Sequence, residues 1–98
     1  MNVYGSRNHE KDELKDLVAA AVGIAFDPHE GMFRCGEYWR YEANDDALVV
    51  IQDNCIDEHG DLAEAGFPDH GVLLYVEADL DETPLQRMDG LELLETRD

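Results

Sequence analysis

From Tyr41 to Gln86 the chain contains no lysine and no arginine, while thirteen aspartates and glutamates fall in the same stretch. Nucleic acids and anionic membranes are recognised through basic side chains on phosphates, so this absence argues against either as a partner of that segment. Serine is scarcer still. Ser6 is the only one and sits near the start, which effectively excludes a serine triad. The two cysteines, Cys35 and Cys55, are twenty residues apart and match neither a CxxC nor a zinc spacing. No GxGxxG or GxxxxGK[ST] element is present to cradle a phosphate. His9, His29, His59 and His70 lack the HExxH spacing that puts two ligands on one helix face, and all are expected at the surface. No apolar run approaches the roughly 20 residues of a membrane-spanning helix. The start, MNVYGSRNHEKDE, has no basic, apolar leader, so a cytoplasmic product is the expectation.

What the chain has is negative charge. Twenty-four acids against seven bases give a net charge of −17 over 98 residues. Residues 1–40 carry seven acids and five bases, and residues 87–98 carry four and two. The excess therefore sits in residues 41–86. Such self-repulsion destabilises a compact state, but it favours a basic protein partner. Plain solubility or a proteome-wide habit is an equally weighted explanation. The 44% hydrophobic content predicts a folded chain, read as a single domain over residues 1–98.

The pattern organises around a hairpin. Tyr38-Trp39-Arg40-Tyr41 reads as an aromatic strand, Asn44-Asp45-Asp46 as a turn, and Leu48-Val49-Val50-Ile51 as the return strand. A three-residue turn would pair Tyr41 with Val49, Trp39 with Ile51 and Cys35 with Cys55. A two-residue turn would shift every pair by one. In the three-residue register Trp39, Tyr41, Val49 and Ile51 share one face, with Tyr38, Arg40, Leu48 and Val50 on the other. In a reducing compartment both cysteines are expected as free thiols, although the first register leaves a disulfide open.

Residues 1–8 read as a loose terminus, and Asn8 as the cap of a helix from about His9 to Val22, stopped by Gly23. Leu14, Leu17, Val18 and Ala21 recur at helical spacing, predicting burial against a sheet. Ile24-Ala25-Phe26 reads as a short strand, followed by a loop at Pro28 and Gly31 with Met32 and Phe33 as core anchors. Residues 52–70 form a long acidic loop, with a turn at Gly60 and Phe67 tucked inward. Val72-Leu73-Leu74-Tyr75-Val76 reads as the centre of the sheet. Thr83-Pro84-Leu85-Gln86 opens a short helix that Gly90 stops, and Leu91-Glu92-Leu93-Leu94-Glu95 is a last strand. The connection is long enough for a crossover, so this strand can lie parallel to the Val72 strand. The fold class is α+β: a small antiparallel-rich sheet of about four to five strands, an N-terminal helix on one face, and a short second helix before the last strand.

Chemistry is harder to place. An EF-hand loop with Gly60 at its sixth position would need Cys55 first and Gly66 twelfth, and fails at both. A non-standard cation site from Asp57, Glu58 and Asp61 is the lesser reading beside a solvated acidic surface. A Cys–His nucleophile pair has no local motif behind it. Arg40, among so few bases, is expected to pair with a carboxylate of the same chain.

The order of helix, short strand, hairpin, long acidic loop, strand, short helix and strand resembles small acidic immunity proteins of bacterial polymorphic-toxin systems. GEYWRY and FPDHGVLLYVEAD are also similar to patterns in short bacterial proteins. The resemblance, over roughly residues 12 to 95, implies an acidic face that occupies the basic cleft of a toxin. The expectation is a non-enzymatic protein, without cofactor or metal, that binds a basic protein (a toxin or a nucleic-acid-binding enzyme). Its contacts would be Asp45, Asp46, Asp53, Asp57, Glu58, Asp61 and Glu64. A DNA mimic of the phage type and a small-ligand or enzymatic domain are the alternatives.

Overall fold

The computed structural model describes residues 1–44, 47–56 and 59–97. Six strands among them form one sheet: β1 (Asn2–Ser6), β2 (Asp27–Gly31), β3 (Gly36–Asn44), β4 (Ala47–Asp53), β5 (Val72–Glu77) and β6 (Leu91–Thr96). Their order is β2-β3-β4-β5-β1-β6, and every neighbouring pair is antiparallel. Two helices join them, α1 (Lys11–Val22) and α2 (Thr83–Gln86), with a single 3₁₀ turn at Met32–Arg34. The class is α+β, with six strands where four to five were expected.

The hairpin register is the three-residue one over most of its length. Tyr41 faces Val49 and Trp39 faces Ile51. Near the turn the register shifts between Glu42 and Asn44, and Asn44 pairs with Ala47. Ala43 is thus an extra residue in β3, a bulge that reconciles a short turn with the longer register. The same register, continued past the strand ends, brings Cys35 to Cys55. They form a disulfide with Cα atoms 5.8 Å apart, which corrects the expectation of free thiols.

Each side of the sheet has its own core. On the α1 side Leu14 and Val18 of the helix pack on Tyr4, Val49, Ile51 and Leu74. On the opposite side Val3, Val50, Leu73 and Tyr75 form a second cluster. β4 and β5 are buried on both faces, as their continuous apolar runs require of interior strands. At about 25 cal/mol per Å2 of apolar surface, each fully buried Val or Leu here contributes about 1.5–3 kcal/mol.

The largest correction is at the N-terminus. Residues 2–6 are not loose but form an interior strand between β5 and β6. Its signal in the sequence was weak because Val3 and Tyr4 are the only large apolar residues in NVYGS. The last strand does run parallel to β5, but β1 lies between them. The helix starts at Lys11 with Glu10 as its cap, not at Asn8. The Ser6 hydroxyl instead accepts the Asn8 and His9 N–H groups and turns the chain before the helix. Gly23 ends α1 in the left-handed region, at φ 72°.

Two further readings change. The chain is a strand over Asp27–Gly31 rather than over Ile24–Phe26. Pro28 is tolerated there because β2 is an edge strand and needs no donor on its open side. Met32 is no core anchor, being 84% exposed. The side chain of Phe33 lies outside those described.

Candidate functional site

The acidic segment after β4 packs against the sheet face opposite α1, held at four points. Cys55 is bonded to Cys35. The Asn54 amide donates to the Phe67 and His70 carbonyls at 3.0 and 3.1 Å, and its oxygen accepts the Glu64 N–H at 2.8 Å. Glu64 Oε1 accepts from the Tyr75 hydroxyl at 2.7 Å, and Oε2 accepts from Arg97 Nη2 at 2.7 Å. His70, 4% exposed, closes the segment beside Gly5. Its burial corrects the expectation that all four histidines lie at the surface; His29 and His59 are exposed.

The electrostatics follow from these bonds. Burial alone would raise the Glu64 carboxyl, but the hydrogen bonds from Arg97 and Tyr75 and the Arg97 charge outweigh it and hold the carboxyl below its ordinary value. Burial, with the bond to Glu64, pushes the Tyr75 phenol upward. Arg34 lies over the Tyr75 ring, 5.3 Å from its centroid, and donates to Gln52 Oε1 at 3.1 Å. Gln52 is 2% exposed, so this bond satisfies a polar group that burial would otherwise penalise.

Of the seven acids expected to meet a partner, Asp45, Asp46, Asp57 and Glu58 lie outside the described residues. Asp61 is exposed. Asp53 is half-buried and forms a 3.1 Å ion pair with Lys11, whose ammonium also donates to the Glu37 carbonyl. Glu64 is bound to Arg97 and Tyr75, so its carboxylate is committed to the fold. Other acids of the 41–86 stretch gather elsewhere. Glu77, Asp79 and Asp81 are exposed at the end of the sheet where the β3–β4 hairpin closes. Beside them Glu82 Oε1 accepts from the Tyr4 hydroxyl at 2.6 Å. Burial, then the Glu82 bond, raises the Tyr4 phenol to about 12.

A groove of about 380 Å3 opens beside the start of α1, lined by Lys11, Asp12, His29, Tyr38 and Trp39 among others. Trp39 is half-buried, as a residue packed against the core, and its indole donates to Asp12 Oδ1 at 2.9 Å. Lys15 sits 4.3 Å from the Trp39 ring centroid. Ser6 and His9 are hydrogen-bonded at 2.8 Å, but Ser6 is fully buried and accepts two backbone donors, a structural rather than nucleophilic setting. Among the described residues no three His, Cys, Asp or Glu side chains gather to hold a metal ion. Among the same residues no helix is long and apolar enough to cross a membrane.

The bases are largely spent inside the molecule. Arg7 pairs with Glu92, Lys11 with Asp53, Lys15 with Asp16, Arg40 with Glu42 and Arg97 with Glu64. The Arg40 pair is the intramolecular one expected. Sequence reasoning missed Asn54 and Arg97 as residues that hold the acidic segment, because they act across 10 to 33 positions of chain with no local pattern. No protein-family model matches this chain, and no curated protein or solved structure does so either.

Proposed function

We propose that this chain is a non-enzymatic acidic binding protein, of the immunity or antitoxin kind, that neutralises or regulates a basic protein. One observation carries the reading: five of the seven bases are paired to acids of the same chain and a sixth, Arg34, is turned onto Tyr75, so the bases are held against the chain's own side chains while its net charge stays at −17. A surface of one sign steers a partner of the other and repels its own kind. Asp61, Asp45, Asp46, Asp57 and Glu58 are the acids we assign to this surface. Asp53 and Glu64 contribute less, since each has an internal cation to satisfy.

The body measures 35 × 28 × 27 Å, which favours a protein partner over duplex mimicry, because a DNA mimic needs carboxylates along an elongated surface. The groove at Trp39 supports the alternative of a small ligand, but its lining mixes both charge signs without a buried unpartnered group aimed into it. The Cys35–Cys55 disulfide favours an oxidising compartment over the cytoplasm as the meeting place.

The test is affinity capture from the native host at low and at moderate salt, with mass spectrometry of what is retained. One basic protein held at both salts is the expected result. Many basic proteins lost together as salt rises would mean that the charge is generic, and would overturn the proposal.

A further inference from the structure

The groove beside α1 is built from two adjacent strands and the start of the helix. Pro28 faces Trp39 across the β2–β3 pair, and Glu30 faces Glu37. These four lie on one face of the sheet, the face on which Trp39 packs against the α1-side core. Lys11 and Asp12, at the start of α1, form the wall, and all six line the same cavity of about 380 Å3. That volume is near the lower end of the range for small-ligand clefts, about 300–1,000 Å3, so the space is that of a long side chain or a small ligand.

The charges of this lining are unevenly spent. Glu30 and Glu37 are both exposed, and like charges directly opposite each other destabilise a strand pair. Among the described residues neither carboxylate has an ion pair or a hydrogen bond. By contrast, Asp27 on β2 faces Arg40, of opposite sign. Among the described residues Lys11 is the one Lys or Arg of the lining, and its ammonium is committed to the Glu37 carbonyl at 2.7 Å and to Asp53 at 3.1 Å. Asp12 is committed too, accepting the Trp39 indole N–H and so holding the ring. The ring itself receives a cation elsewhere: the Lys15 ammonium sits 4.3 Å from its centroid, and Lys15 does not line the groove. What the groove offers is an apolar floor, Pro28 and Trp39, beside two carboxylates with no counter-charge.

We infer that this groove takes a long basic side chain, an arginine or a lysine, of the basic partner. Its alkyl stem lies on Pro28 and Trp39, and its cationic head sits between Glu30 and Glu37. The identity of the occupant rests on the proposed function, and the groove adds where a contact is made. Long basic side chains lay their stems along apolar surface and keep the charged head at a polar rim. A guanidinium fits best, because it stacks on aromatic faces and pairs with carboxylates. The occupant also relieves the Glu30–Glu37 repulsion, so binding recovers what the free chain loses there.

Trp39 is the single tryptophan of the chain, so its emission reads the groove directly. The full chain is titrated with N-acetylarginine methylamide, which carries one guanidinium, and then with the basic protein captured as above. Three forms are compared: wild type, Glu30→Gln with Glu37→Gln, and Glu77→Gln with Asp79→Asn. The last pair removes the same charge at exposed acids outside the groove. The amide should shift Trp39 emission saturably in the wild type and in the Glu77/Asp79 control, but not in the Glu30/Glu37 variant. The captured protein should bind the Glu30/Glu37 variant about tenfold or more weakly and the control within about twofold of wild type. The melting temperature of the Glu30/Glu37 variant should not fall, because its substitutions remove a repulsion, so lost binding is not lost folding. No saturable response to the amide, or equal weakening of both variants, would overturn the groove and leave the proposed function standing. A response to the amide with a captured protein that binds all three forms alike would make the groove a site for a free cation and overturn the partner as its source. Capture of no single basic protein would overturn the proposed function and this source together.

Discussion

The Tyr75 hydroxyl donates a 2.7 Å hydrogen bond to Glu64 Oε1 across eleven residues of chain, and this bond ties the acidic segment to the middle of the sheet. Arg97, from the far end of the chain, holds the other oxygen at 2.7 Å. Glu64→Ala removes the acceptor and leaves a buried phenol and a half-buried guanidinium without it. The expected cost is about 2–3 kcal/mol, since an orphaned partner of a charged hydrogen bond costs its full desolvation. In a domain of this size that lowers the melting temperature by roughly 10–20 °C. Hydrogen exchange should also quicken at Ala63, Phe67 and His70. A melting temperature unchanged within a degree would show that the disulfide and Asn54 hold the segment alone.

Glu64 at the acid end and the buried phenols Tyr4 and Tyr75 at the alkaline end set a pH dependence at both ends of the scale. The Glu64 carboxyl is held below its ordinary value of 4.5, so its contribution is fully present above that value and is lost as pH falls through the lower, folded one. Protonating the surplus acids relieves self-repulsion as pH drops from neutrality, so the two effects oppose. Stability should rise on mild acidification and fall below about pH 4.5, and Glu64→Ala should keep the rise but blunt the fall. At the alkaline end Tyr4 is raised from 10.0 to about 12, so its contribution is complete below pH 10 and is lost as pH climbs toward 12. Ultraviolet titration should show Tyr4 and Tyr75 ionising only as the protein unfolds. Early ionisation of both would contradict their burial.

Cys35 and Cys55 stand twenty residues apart, and closing a loop of that length restricts the unfolded chain. Replacing both by alanine should cost about 3 kcal/mol, and a dithiol reductant should lower the wild-type urea midpoint as far as that replacement does. The double variant should be insensitive to the reductant. Equal midpoints for reduced and oxidised wild type would show that the cystine adds nothing to stability.

Most of this architecture is legible where the signal is local. Leu48 to Ile51 and Val72 to Val76 announce interior strands by being apolar on both faces, and Gly23 marks the end of α1 by its backbone freedom. The pairing of Trp39 with Ile51 follows from the turn composition once the loop length is fixed, and Cys35 and Cys55 fall into place with it. What is not legible is whatever depends on a partner far along the chain. NVYGS becomes an interior strand only because β5 and β6 flank it, and no periodicity over five residues carries that. Glu64 looks like any other acid of its segment, since Tyr75 and Arg97 reach it from 11 and 33 positions away. A surface patch drawn from sequence alone therefore counts Glu64 with its neighbours, while the fold spends it internally.

Gly5 shows the same long-range constraint in its strongest form, and it supplies a direct test of how the acidic segment closes. A Cβ on Gly5 would lie 2.6 Å from Leu94 Cδ1 and 2.9 Å from His70 Cβ, closer than real side chains approach. The residue is glycine for space, because β6 bulges at Leu94 and His70 lies across β1 on the same side. Gly5→Ala should destabilise by about 1–3 kcal/mol through overpacking. Leu94 Cδ1 is the end of a flexible side chain and can turn away, whereas His70 Cβ sits beside the backbone and cannot. Adding Leu94→Ala to Gly5→Ala should therefore remove one clash and leave the other, so the double variant stays less stable than Leu94→Ala alone. Equal stability of those two, measured by denaturant unfolding, would show that the segment around His70 shifts freely and that β1 does not fix its position.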